Sequence, residues 1–236
     1  MIWALHGAVG RAADWHAYAA AVRLEGEEIR RLDLWRFLDC CPMPLGKFGA
    51  TLATEISRID SAPVLLGYSM GGRLALHALL EQPDRWKAAI IVSAHPGLND
   101  EEACRERREK DAGWSALALK GEWSDFLLKW QGQDVLGGVE MPDRVDLKSR
   151  RASIARSFVD WSLGAQENLM PRLSEITAPV LWLTGERDHK FTSLAERAVP
   201  NLSNGKHTII PECGHRVPWE KPDEFAQMVR SFLETT

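Results

Sequence analysis

Three side chains able to act together on a proton stand at Ser69, Asp188 and His215. A serine hydroxyl is a weak nucleophile and a weak base until a histidine takes its proton, and that histidine needs a carboxylate to orient it. Ser69 lies in GYSMGG (67–72), inside PVLLGYSMGGRLALHALL, which reads as strand, tight turn and helix. Gly67, Gly71 and Gly72 let the turn pack closely, so the segment matches the G-x-S-x-G nucleophile elbow in its required setting. Such a turn exposes the hydroxyl at the carboxyl end of a strand. The N–H of Met70, beside a helix N-terminus, is then placed to stabilise an oxyanion. The competing role for Ser69 is an ordinary helix N-cap, a position that serine suits.

Asp188 stands in TGERDHKF, after the penultimate apolar run, and His215 in ECGHRVPWEKP, between the last run and the C-terminal helix. Alone, the first is a solvated turn acid and the second a loop histidine. Their joint placement after successive strands, in the order serine, acid, histidine, points to a catalytic triad. Glu186 is the fallback acid, less favoured because the carboxylate is expected further along the loop. LHGAVG (5–10) supplies the second oxyanion donor, the N–H of Ala8, unless it is only a glycine turn joining strand to helix. His6 is expected to fix this loop rather than react. His77, His16, His207 and His189 have no partner set, and no spacing suggests a metal site. LHGAVG matches neither glycine-rich phosphate-binding pattern, so no cofactor is expected.

The elements that must position these residues follow from short apolar runs at 2–5, 62–68, 88–93, 179–185 and 207–211, which read as strands covered on both faces. Helical patterns occupy 47–60, 71–81, 192–198 and 221–234, the last entered through Pro222. The alternation predicts an α/β fold with a doubly wound, mainly parallel sheet flanked by helices. At 236 residues the chain suits one domain. Residues 1–96 and 171–236 form the expected core, and the tryptophan-containing, helix-like stretch 97–170 is an insertion expected to act as a lid. A net charge of -4 gives no general attraction to nucleic acid or to an anionic membrane. Cys40, Cys41, Cys104 and Cys213 show no metal-type spacing and read as reduced thiols. With no leader-like N-terminus and no membrane-length apolar run, a cytoplasmic protein is expected.

Positive charge near the elbow is the clue to the ligand. Arg73, one turn after Ser69, is within reach of a substrate carboxylate. Arg107 lies on a mixed helical stripe with Cys104, Asp111, Trp114 and Ala118, which either turns inward or carries a surface ion pair. Arg150 and Arg151 offer further positive charge at the far end of the insertion. Several arginines around the site of an acidic protein suggest an anionic small-molecule substrate. Trp114, Trp123, Trp130 and Trp161 either wall the pocket or pack the insertion onto the sheet, and Trp130 is singled out for the pocket.

These motifs resemble the α/β-hydrolase superfamily over essentially the whole chain. More narrowly, LHGAVGRAADW (5–15), GYSMGGRLALHALL (67–80), VSAHPGL (92–98), the 107–114 region and GERDHKF (185–191) resemble the 2-succinyl-6-hydroxy-2,4-cyclohexadiene-1-carboxylate synthases of menaquinone biosynthesis. The resemblance implies an α/β-hydrolase fold with a helical lid and a Ser69, Asp188 and His215 triad. It implies Ala8 and Met70 as oxyanion donors, and Tyr68, Arg73, Arg107 and Trp130 as substrate contacts. The implied reaction is elimination of pyruvate from 5-enolpyruvoyl-6-hydroxy-2-succinyl-3-cyclohexene-1-carboxylate, with no metal or redox cofactor. WQGQDVL (130–136) departs from the family pattern, which has further aromatics and Q-P after the tryptophan. An inward Asp134 would repel a polyanion. The alternatives are a serine carboxylesterase or carbon-carbon hydrolase with the same triad, and a binding protein on a hydrolase scaffold.

Overall fold

A computed structural model describes residues 1–21, 28–39, 41–137, 139 and 142–236; Cys40 lies outside the described residues. Strands β1 (Ile2–Leu5), β2 (Ile29–Leu32), β3 (Val64–Tyr68), β4 (Ala88–Val92), β5 (Val180–Gly185) and β6 (Gly205–Ile210) form one sheet in the order β2-β1-β3-β4-β5-β6. Every neighbouring pair is parallel. β1, β3, β4 and β5 are buried along their whole length, as their continuous apolar runs require.

β2 is the strand that the apolar pattern did not reveal. Its sequence, IRRL, sits at the sheet edge, where Arg30 and Arg31 remain accessible and no continuous apolar run is needed. The remaining strands fall within two residues of expectation.

Alternate strand residues point to opposite faces, and each face has its own apolar layer. After the short α1 (His16–Ala21) come α2 (Leu45–Ser57) and α3 (Met70–Glu81), and Trp3, Leu5 and Leu65 pack with Phe48 of α2 and Leu74 of α3. Ile2, Ala4 and Leu66 pack instead with Phe225 and Val229 of a C-terminal helix, Pro222–Leu233. α3 is buried from Met70 to Leu80 because it lies between the sheet and α2.

Between β4 and β5 the described residues are helical and contain no strand: α4 (Glu101–Lys120), α5 (Trp123–Gln131) and α6 (Arg151–Asp160), joined by 3-10 turns. Trp114, Phe126, Trp130 and Phe158 of this segment pack against one another, with ring centroids 5.2–6.4 Å apart. Trp123 and Trp161 are buried within the packing. Arg144 ties the segment to the loop after β1: its guanidinium donates to both carboxylate oxygens of Asp14, at 2.5 and 2.8 Å. Both side chains are about 95% buried.

Removing one member of a buried ion pair leaves the other uncompensated. Arg144→Ala is expected to lower the unfolding free energy by about 3 kcal/mol, read from urea denaturation, since Asp14 would keep the Arg11 N–H and only a longer, 3.7 Å contact with the Arg11 guanidinium.

Candidate active site

The sheet order brings the two loops expected to donate to an oxyanion side by side. β1 pairs with β3, Leu5 facing Gly67, so the loop after β1 lies against the elbow after β3. A side chain at Gly71 would run into the carbonyls of Leu5 and His6, which is why glycine is required there. Ser69 occupies the left-handed region, φ 52° and ψ -111°, a conformation that costs a non-glycine residue of order 1–3 kcal/mol. It is held by its N–H to the Val92 carbonyl (2.8 Å) and by the Arg73 N–H to its own carbonyl (3.1 Å). The hydroxyl is thus presented to a cavity rather than turned back to cap α3, and Ser69 makes no side-chain cap bond.

His215 Nε2 lies 3.1 Å from Ser69 Oγ, and His215 Nδ1 lies 2.7 Å from Asp188 Oδ2. Both His215 and Asp188 are buried. With Nδ1–H donating to the carboxylate, Nε2 is free to accept the serine proton. The imidazole lies between Phe191 and Tyr68, at centroid distances of 4.4 and 5.5 Å. Asp188 directly precedes α7 (His189–Ala198), and its own N–H is held by the Gly185 carbonyl at 3.0 Å. Glu186, the fallback acid, points elsewhere: its carboxylate accepts the Glu212 N–H at 2.8 Å.

Ala8 and Met70 line the same cavity beside Ser69. Met70 opens α3, so its N–H has no acceptor within the helix. His6 fixes the β1 loop as expected. Its Nδ1 donates to the Gly7 carbonyl (2.9 Å) and its Nε2 accepts the Leu34 N–H (3.3 Å).

The cavity has a volume of about 230 Å³ and places cations above the serine. Arg73 is buried and donates to Gln166 Oε1 (2.9 Å) and the Trp161 carbonyl (2.6 Å), with no carboxylate in ion-pair range among the described residues. Burial, then repulsion from Arg107, brings its pKa down to about 9, against the opposing pull of Asp111. Arg107 turns inward and pairs through Nε with Asp111, which also accepts from Ser162. Of the two roles open to the Arg107 stripe, the structure shows the inward one; the ion pair is with a buried carboxylate and is not a surface pair.

Tyr68 and Trp130 also line the cavity. Asp134 is exposed and lies outside the lining, which Gln133, Val135 and Leu136 supply instead. The acid that departs from the family pattern therefore faces water. Arg150 and Arg151 are not at the site. Arg150 pairs with Asp33 and Asp39, and Arg151 donates to the Ala118 and Gly121 carbonyls, so both fasten the insertion.

Sequence reasoning missed Lys110, Lys190 and His95. Lys110 follows Arg107 by three residues, on the same side of α4, and Lys190 follows the acid by two, a spacing already visible in GERDHKF. The Lys190 pKa is lowered first by burial and then by Arg107 and Lys110, with Asp188 opposing. His95 lies in the HPGL segment, where its Nδ1 accepts the Gly97 N–H at 3.0 Å. Among the described residues, no three His, Cys, Asp or Glu side chains are grouped to hold a metal.

The parallel sheet and the serine elbow facing a histidine and a carboxylate match the alpha/beta hydrolase family, whose model covers residues 4–228; the chain belongs to that family. It is 34% identical over 176 residues to the 2-succinyl-6-hydroxy-2,4-cyclohexadiene-1-carboxylate synthase of Pectobacterium atrosepticum, an alignment spanning 72% of this chain and 67% of that protein. More narrowly, then, the chain belongs to the family of these synthases. The Serratia proteamaculans synthase is 29% identical over 243 residues, spanning 99% of this chain and 92% of its own. Among such relatives the matched share of the relative runs from 65 to 92%. The solved structure of MenH from S. aureus has a TM-score of 0.88 at 25% identity, covering 99% of this chain and 93% of that one.

Two outcomes follow from the geometry. Ser69→Ala and His215→Ala should abolish labelling by a serine-directed fluorophosphonate while the circular dichroism spectrum stays that of the wild type. The second concerns His6, His77 and His95, whose pKa values burial lowers to about 4, 4 and 3. The unfolded chain takes up these protons near the ordinary value of 6.5 and the folded chain does not. Their contribution to stability is therefore full above pH 6.5 and is lost as pH falls towards 4 for His6 and His77 and towards 3 for His95. Denaturant unfolding should show stability declining over that window, and His77→Asn should flatten the decline.

Proposed function

We propose that the chain is a lyase that eliminates pyruvate from 5-enolpyruvoyl-6-hydroxy-2-succinyl-3-cyclohexene-1-carboxylate. The observation that carries this reading is the juxtaposition of a triad-like serine with four cavity-lining cations, Arg73, Arg107, Lys110 and Lys190. Among the described residues the carboxylate lining the cavity, Asp111, is committed to Arg107 and Ser162, and Asp188 is committed to His215. A substrate carrying several carboxylates completes this charge pattern. A neutral ester would leave the buried Arg73 uncompensated.

The chemistry follows from the hydrogen-bond chain. His215 accepts the Ser69 proton at Nε2 while Asp188 stabilises the resulting imidazolium. The serine oxygen takes the ring proton at C2 beside the succinyl carbonyl, and the C–H electrons form a C2–C3 double bond. The existing C3–C4 double bond shifts to C4–C5, and the bond from C5 to the enolpyruvoyl oxygen breaks. The departing enolate takes a proton and becomes pyruvate, leaving the conjugated diene. Charge developing on the succinyl carbonyl falls to the N–H groups of Ala8 and Met70. Tyr68 and Trp130 wall the ring, and the helical insertion, residues 97–170, serves as the lid that keeps water from the reacting carbons. The reaction needs no cofactor. A cytoplasmic enzyme agrees with the thiols of Cys104 and Cys213, which form no disulfide. Among the described residues no helix is long and apolar enough to cross a membrane.

The test is pyruvate release from freshly prepared substrate, with Ser69→Ala and an aryl ester as controls. Rapid serine-dependent release with feeble ester cleavage is expected; the reverse pattern would make the protein a hydrolase. Arg73→Ala should raise KM by about tenfold or more, the scale of one lost charge-assisted contact, with a smaller change in kcat.

A further inference from the structure

His215 is held from behind by a residue that touches neither serine nor aspartate. Glu220 stands at the end of α8 (Val217–Glu220), half-buried, five residues after the histidine. Its Oε2 accepts the Gly214 N–H at 2.6 Å and its Oε1 accepts the Arg216 N–H at 2.9 Å. These are the backbone donors immediately before and after His215. One carboxylate thus bridges the backbone N–H groups of the two residues on either side of His215.

Gly214 permits the approach. A Cβ there would come within 3.0 Å of both Glu220 oxygens. From the other side the acid loop meets the same segment, the Arg187 N–H donating to the Cys213 carbonyl at 2.8 Å. A Cβ at Gly185 would strike the Cys213 and Gly214 carbonyls, so the two loops touch backbone to backbone. Trp219 anchors α8 by donating to the Asp14 carbonyl at 3.1 Å and packing on Tyr68 at 4.7 Å. Capping α8 would account for the Arg216 N–H alone. The Gly214 N–H lies outside that helix, and its shorter bond serves only the loop.

We propose that Glu220 is a positioning residue for His215: by accepting the flanking N–H groups it fixes the imidazole between Ser69 Oγ and Asp188. Hydrogen bonds to an ionised carboxylate are among the stronger kinds in proteins. A displacement of about 1 Å at a catalytic base is worth about 10²-fold in rate. The proposal rests on the triad reading of Ser69, Asp188 and His215 but not on the identity of the substrate.

Fluorophosphonate labelling tests it separately from pyruvate release, because Ser69 displaces fluoride while losing its proton to His215 whatever the natural substrate. Glu220→Ala should lower the labelling rate about 10²-fold and kcat to a similar degree, with KM within about twofold of wild type. Glu220→Gln has the same shape, folds as the wild type because the side chain is part-exposed, and keeps one acceptor oxygen. It should fall between the two. In proton NMR, the hydrogen-bonded His215 Nδ1–H resonance should broaden or shift upfield in both variants. Wild-type labelling and an unchanged resonance in Glu220→Gln, or a loss confined to melting temperature, would overturn the proposal and reduce Glu220 to a helix cap. If the wild type labels rapidly yet releases no pyruvate, the lyase reading fails and this one survives.

Discussion

The site depends on a backbone constraint: Ser69 is held in a left-handed conformation at the end of a buried strand. That geometry is unfavourable for a residue bearing a Cβ, and the surroundings over-determine it. Gly67 and Gly71 let α3 start against the ends of β1 and β3, and the buried length of α3 anchors the turn from the other side. Relaxing the turn would swing the hydroxyl towards a helix-capping position and away from His215. The turn also places the start of α3 beside the loop after β1, so one constraint sets both the serine oxygen and its position against Ala8 and Met70 in the cavity.

Above that turn the electrostatics are unbalanced by design of the sequence around the cavity rather than by net charge. The chain as a whole is acidic, yet Arg73, Arg107, Lys110 and Lys190 share one small cavity. Arg73 is the most informative of them, since it is buried and among the described residues its acceptors are neutral. Asp111 keeps Arg107 in place at the cavity wall, where its remaining donors stay available to a ligand. Burial and mutual repulsion of these cations are costs that an anion removes on binding.

Much of this was readable beforehand, for identifiable reasons. Strands buried on both faces announce themselves as apolar runs, and a triad on successive loops leaves residues in a telling order. β2 escaped because an edge strand tolerates IRRL. Arg150 and Arg151 looked like site residues because charge is visible in sequence while direction is not; their partners prove to be Asp33, Asp39 and two carbonyls. Lys110 and Lys190 were passed over although their spacing was visible, because a surface lysine is the usual reading of such a position. Asp134 was the opposite case: an acid close to the cavity in sequence that faces water.

The parallel sheet has a consequence for how the molecule comes to be competent. Each neighbouring pair of strands needs a crossover, and β4 reaches β5 only after the whole helical insertion has been accommodated. Serine and histidine are 146 positions apart along the chain. Contacts of that separation form late, because chain entropy must be surrendered before they reward it. During synthesis the serine turn therefore emerges and packs long before its histidine exists. The nascent chain carries a serine with no histidine partner until the segment after β6 docks, so the Ser69–His215 contact is assembled last.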